Sequence, residues 1–268
     1  MELTVSGIVL RDTLYGENDK ILTFLTGELG KISVYARGVK SINSKNSPAV
    51  QLLCYSSFEL HEKNGRYLLT GAEALDSHYA IRSDLDRFAL ACYFAEVADT
   101  VCTENSDESE MLRLLLNCLY AAEHGISPLL KIKAAFEMQC MILSGFMPDL
   151  EECAECGKPA VDSTDKFGRY LFSYSDGAFL CPACLAQRAR KDAIPLRPET
   201  VETLRGMLRY RQNQCLRFSV CPETAHELYG VCEAYLSRQT GKHYKTADFF
   251  HSTYDPSAEQ KKGVKQNP

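Results

Sequence analysis

"GKISVYARGVKSINSK", residues 30–45, sets the reading of the first part of this chain. In its first half Ile32, Val34 and Ala36 alternate with Lys31, Ser33, Tyr35 and Arg37. A period of two places one set in a core and the other outside, as in a half-buried strand. In the second half the alternation stops, and Gly38, Ser41, Asn43 and Ser44 signal a loop studded with Lys40 and Lys45.

Similar strands flank it. "LTVSGIVL" (3–10) and "KILTFLT" (20–26) come before, and "LLCYSSFELHE" (52–62) and "RYLLTGAE" (66–73) come after. All are short and rich in β-branched and aromatic residues. Turn signals "YGEND", "TGELG" and "KNGR" fall between them. Five short antiparallel strands fit a small closed barrel, with the OB-fold and the SH3-like barrel as the two candidates.

Past Asp76 the period changes to a helical one. Leu85, Phe88, Ala89 and Cys92 follow the i, i+3, i+4, i+7 rule, with Ser83 as the expected N-cap. A second helix follows "NSDESE" and stops at Gly125, and a third opens at Ser127-Pro128 and stops at Gly145. Helical patterning returns at 197–212 and 222–241, and the polar end from Ser257 has the composition of a disordered tail.

Between these helices, "CAEC" at 153–156 is answered by "CPAC" at 181–184, around a hairpin expected to turn on Ser175-Asp176-Gly177. Two C-x2-C pairs can bring four thiolates to one tetrahedral ion, which suits Zn²⁺. An iron–sulfur cluster usually has more compact spacings, and a thioredoxin-like redox centre needs a βα unit that neither pair follows. A zinc ion with four protein ligands has no open position, so such a site is structural. The expected ligands are Cys153, Cys156, Cys181 and Cys184. The remaining eight of the 12 cysteines are scattered singly, and Cys92, Cys118, Cys140 and Cys232 lie among apolar residues as small hydrophobes.

No run reaches the roughly 18 apolar residues of a membrane span, and the N-terminus has no signal-peptide pattern. A soluble cytoplasmic protein is expected. The six histidines form no H-x3-H pair, and neither a G-x-S-x-G nor a Walker loop is present. The expectation is a non-enzyme. A net charge of −5 argues against nucleic acid as a sum, but the distribution does not. From Leu29 to Phe58 there is no acid, while Lys31, Arg37, Lys40 and Lys45 are present. From Arg188 to Arg217 eight cations face three acids.

In order and spacing, these pieces resemble a family. "GIVLRDTLYGENDKILTFLTGELGKISVYARGVKSINSK", "FEMQCMILSGFMPDLEECAECG", "FSYSDGAFLCPAC" and the late "FFHS" are similar to the bacterial recombination mediator RecO, from about residue 3 to residue 252. The resemblance implies an α+β chain. Residues 1–80 would be an OB-fold nucleic-acid-binding β-barrel, and residues 81–252 a mainly α-helical domain with a zinc-ribbon-like four-cysteine element at about 150–190. Residues 253–268 would be the tail. The resemblance further implies binding of single- and double-stranded DNA, annealing of complementary strands, and work with RecR and the single-strand binding protein (SSB) in loading RecA. One structural Zn²⁺ completes that picture. Residue by residue, Arg37, Lys40 and Lys45 are the expected phosphate contacts, Lys31 shares the face of Arg37, and Tyr35 is placed to stack on a base. A zinc-ribbon and OB protein acting on RNA or in transcription is the alternative.

Overall fold

The computed structural model describes residues 1–189 and 192–255. Arg190, Lys191 and the expected tail beyond residue 255 lie outside them. The chain forms two compact units. The first is Met1–Leu129 joined by the stretch that begins at Tyr244, and the second is Leu130–His243.

In the first unit, β1 (Glu2–Tyr15), β2 (Asp19–Thr26), β3 (Lys31–Ala36), β4 (Tyr55–Lys63) and β5 (Arg66–Asp76) close a barrel in the order β1-β2-β3-β5-β4. That order, with β1 pairing both β2 and β4, is the OB-fold. One expectation needs correction, because β3 and β5 pair in parallel, with Val34 opposite Tyr67. The long 37–54 connection carries the chain away from β3, so that β4 returns beside β1 and β5 closes the gap. The barrel interior is apolar, with Phe24 and Phe58 stacked at 3.8 Å between ring centroids among Val9, Leu22, Ile32, Val34 and Leu60.

The alternation read in 31–37 is present, with Ile32, Val34 and Ala36 buried. β2 does not alternate, since Leu22 to Thr26 are all buried. Its outer face is covered by α2 (Leu85–Val101) and α3 (Ser109–Glu123), which gives the strand two dry sides. Asp84, not Ser83, caps α2, accepting from the backbone N–H groups of Asp86 and Arg87. It precedes the first helical residue directly, and Ser83 instead bonds back to the Ala80 carbonyl of α1 (Tyr79–Arg82). Gly30, at φ +65°, lets the β2–β3 turn touch the loop before α3, where a Cβ would stand 2.5 Å from the Thr103 carbonyl oxygen. A helix that the pattern did not announce, α8 (Lys245–Thr253), packs on α2.

The second unit holds α4 (Leu129–Leu143), α5 (Pro182–Gln187), α6 (Pro198–Arg209) and α7 (Ala225–Thr240). Between them lies a small sheet in the order β6 (Asp149–Cys153), β8 (Ala178–Phe179), β7 (Tyr170–Ser173), β9 (Ala193–Leu196). Gly177 makes the expected β7–β8 turn at φ +64°, and a Cβ there would meet the Tyr235 hydroxyl at 2.4 Å. No described helix is long and apolar enough to cross a membrane.

Candidate metal centre and nucleic-acid surface

The four paired cysteines converge in the second unit. β6 ends on Cys153, and the chain then curls so that the Gly157 N–H bonds the Cys153 carbonyl at 2.9 Å. Gly157 stands at φ +64°, which a residue with a Cβ adopts poorly. The second pair sits where β8 runs into α5, with Cys181 at the N-cap and Cys184 in the first turn. The Ala154 N–H bonds the Phe179 carbonyl at 2.8 Å and so stitches the two knuckles together.

All four sulfurs lie within 4.8 Å of one another, and Sγ of Cys156 and Cys181 are 3.8 Å apart. A tetrahedral ion with bonds of about 2.3 Å sets its sulfurs roughly 3.8 Å apart, whereas a disulfide needs about 2.05 Å. The residues therefore fit a metal, and Cys153, Cys156, Cys181 and Cys184 form no disulfide. Burial opposes ionisation of Cys153, but backbone N–H groups of Cys181, Cys156 and Glu155 outweigh it and lower the thiol to about 6. Hydrogen bonds with Cys181 and Cys156, then burial, push Cys184 up to about 12. The thiols of Cys153 and Cys184 are thus driven in opposite directions, and a dication bound between them would favour the thiolate form of both. Cys153 and Cys181 are buried, Cys184 half-buried and Cys156 exposed. The 24-residue spacer is long because residues 158–169 make a separate excursion before the β7–β8 hairpin begins.

Arg188 braces this element. Its guanidinium reaches Glu155 at 2.6 Å and Asp176 at 2.6 Å, and Asp192 lies at 3.6 Å. Other cations of the Arg188–Arg217 tract are spent within the unit as well, since Arg205 pairs with Glu202 and Glu151, and Arg197 bonds the Glu223 carbonyl. Arg209, Arg211 and Arg217 are exposed.

On the barrel, the five candidate residues divide. Arg37, Lys40 and Lys45 are exposed, and among the described residues none has an ion-pair partner. Lys31 is half-buried and turned toward α2, where its Nζ donates to the Asp99 carbonyl and lies 3.4 Å from the Asp99 carboxylate. The Tyr35 hydroxyl donates to Asp19, whose other oxygen accepts the Gly38 N–H at 2.7 Å. The Tyr35 bond, then the Gly38 bond, hold the Asp19 carboxyl below its usual value. With the Lys40 N–H bonding the Asn18 carbonyl at 3.0 Å, this ties the β1–β2 turn to the start of the 37–54 loop as one corner. Two residues of the corner escaped the sequence reading. Tyr15, 56% exposed, packs edge-on against Tyr35 at 5.8 Å, and Ile42 is 98% exposed among the cations. The aromatic in "LYGEND" is the one sequence signal of Tyr15, and Ile42 has none beyond being apolar among polar loop residues.

A second cluster joins Asp76, His78 and Glu123, where His78 Nδ1 lies 3.1 Å from Glu123 and 3.6 Å from Asp76. The Glu123 carboxylate also accepts the Ala80 N–H, and Asp76 accepts the His78 N–H. Its groups thus serve to fasten the end of β5 to α1 and α3.

The chain thus combines an OB barrel that carries an exposed cationic corner with a helical unit that holds a four-cysteine cluster able to bind a metal ion. The N-terminal model of recombination protein O matches residues 1–78, and its C-terminal model matches residues 82–248. The DNA repair protein RecO of Acetivibrio thermocellus is 30% identical over 247 residues, 92% of this chain and 95% of that protein. Those of Bacillus pumilus and Bacillus subtilis are 32% and 33% identical, over 94% and 91% of this chain. The chain belongs to the RecO family.

Proposed function

We propose that this chain acts in DNA repair and recombination as a non-enzymatic mediator. In this reading it binds single- and double-stranded DNA through the barrel corner and anneals complementary strands. With RecR, it helps RecA load onto strands coated by SSB. Family membership supports the repair role, and the partners are those the family implies. The setting is the bacterial cytoplasm. In this reading residues 1–80 form the nucleic-acid-binding barrel and residues 81–252 the helical domain that carries the four cysteines.

One observation carries the DNA contact: Arg37, Lys40 and Lys45 stand exposed on a stretch without acids that begins at the corner where Tyr15 and Tyr35 meet edge to face. Cations on such a surface neutralise phosphates and release counterions, which lowers the repulsion between two strands. Asp19 nearby is already occupied by Tyr35 and Gly38. Lys31 and Tyr35 act in this account mainly by setting the strand and the corner, Lys31 through Asp99 and Tyr35 through Asp19. The four cysteines hold one structural Zn²⁺, which supplies a cross-link and no reacting position.

The test replaces Arg37, Lys40 and Lys45 together by Ala and measures oligonucleotide affinity across salt. The slope of log K against log salt should fall by about 0.7 per contact for single strands, and annealing should slow with it. An unchanged slope with unchanged annealing refutes the assignment. Adding SSB-coated strands and RecR to the same assay tests the mediator role, and an RNA oligonucleotide bound more tightly than DNA would favour the RNA alternative.

A further inference from the structure

The excursion between the two cysteine pairs ends in a turn that takes no part in holding them. Asp165 organises it. Its carboxylate accepts from the Phe167 N–H at 2.8 Å and the Arg169 N–H at 3.0 Å, and it pairs with the Arg169 guanidinium at 2.8 Å. The Asp165 N–H donates to the Arg169 carbonyl at 2.8 Å, and the Gly168 N–H to the Asp165 carbonyl at 3.0 Å. Gly168 supplies the positive φ of +77° that the reversal needs. The turn is therefore fixed by Asp165, Gly168 and Arg169, and nothing in it requires an aromatic residue. Yet Phe167 stands at its tip, 70% exposed, with Lys166 Nζ 5.0 Å and the Arg169 guanidinium 5.4 Å from its ring centroid.

A ring held out on a pre-ordered turn loses little freedom when it binds. Its neighbours indicate what it binds. Among the described residues Lys166 is exposed and has no ion-pair partner, while Arg169 is fixed against the ring by Asp165. A stable protein interface buries about 1,000 Å² or more, and one aromatic side chain buries about 150–250 Å². The only other large exposed apolar residue of the excursion is Val161. An unpaired base needs only one ring face, and its phosphate needs one mobile cation.

We infer that Phe167 is a stacking platform for an unpaired base of single-stranded nucleic acid, with Lys166 reaching the adjoining phosphate. The inference rests on the DNA-binding reading above and adds to it a second contact, carried by the other unit of the chain. It also gives that unit a preference for single strands, because paired bases offer no free face to an isolated ring.

The chain has no tryptophan, so Phe167→Trp introduces a sole indole reporter at the tip. In the full chain, its emission should be quenched by oligo-dT and left unchanged by a blunt duplex. Phe167→Ala should weaken oligo-dT binding roughly 10-fold at an unchanged salt slope, because stacking is lost and no charge is. Lys166→Ala should instead lower the slope by about 0.7. The tip is solvent-facing, so a thermal melt identical to wild type is expected for each variant. Wild-type affinity in Phe167→Ala, with unquenched emission from Phe167→Trp, overturns the inference and leaves the barrel reading intact. An emission change on adding an acidic, apolar-ended peptide but not oligo-dT also overturns it, in favour of protein docking. Failure of the wild type to bind DNA at all would remove both readings together.

Discussion

Lys131 and Lys133 stand two residues apart in "LLKIKAAFEMQC", and in the string only the i, i+4 spacing of Lys133 and Glu137 separates them. Lys133 is 1% exposed, held 2.5 Å from Glu137 and 2.6 Å from Glu233, whereas Lys131 lies over the Phe218 ring. Burial disfavours the Lys133 charge, but the two carboxylates outweigh it and raise its pKa. Lys133→Ala would leave Glu137 buried without its cation and should destabilise the second unit by about 3–5 kcal/mol, measured by urea unfolding. The sequence could not show the second carboxylate or the burial, because Glu233 lies 100 residues away and periodicity reports faces, not long-range partners. The cysteines were legible for the opposite reason: each pair is a local turn, and four thiols have few uses. Asp19 allows a pH test. Its folded pKa is lowered, chiefly by Tyr35, so its contribution is present above the ordinary carboxylate range and lost as pH falls through the folded value. Wild type should therefore exceed Asp19→Asn in unfolding midpoint at neutral pH, and the gap should close in acid. A gap independent of pH would contradict this linkage.

At the scale of elements, strands with one wet face were the easiest to read. β3 alternates in sequence and in burial, so its register follows directly. β1 and β2 were read correctly as strands, but their second buried face appears only once α2 and α3 cover it. The parallel β3–β5 pairing was not legible either, since it depends on where a long loop delivers the chain. The cysteine element has a small apolar cluster of its own, Cys153, Leu180 and Cys181 with the partly buried Cys184, Leu185 and Ala193 packed against it. Its order should then depend on the ion. Chelation, or Cys181→Ser, is expected to expose residues 153–189 to limited proteolysis while the barrel of the first unit stays resistant. Equal resistance of the cysteine element with and without metal would argue that the ion does no structural work there.

For the whole molecule, the two compact units are not consecutive in sequence. The second is inserted into the first, whose last helix returns to α2 after the insertion. That return is specific: the Glu96 carboxylate accepts from the Thr246 N–H at 3.3 Å and from its hydroxyl, and Tyr244 packs edge-on against buried Tyr93 at 5.7 Å. Ending the chain at His243 should uncover Tyr93 and lower the melting temperature of the first unit, with dye binding to newly exposed apolar surface as the readout. Sequence reading passed over this helix because its nine residues, "KTADFFHST", are short for a periodicity argument. Its strongest residue, buried Phe250, gains meaning only from the groove it fills.

That nesting has a consequence for synthesis. A ribosome releases the barrel strands and α2 long before it makes residues 244–253, about 150 positions later, so the nascent first unit waits with one flank of α2 open. The inserted unit can close meanwhile, since all its segments emerge earlier. Assembly of this chain therefore finishes on its first-made part, and a stalled or truncated translation product would present an apolar seam to chaperones and proteases.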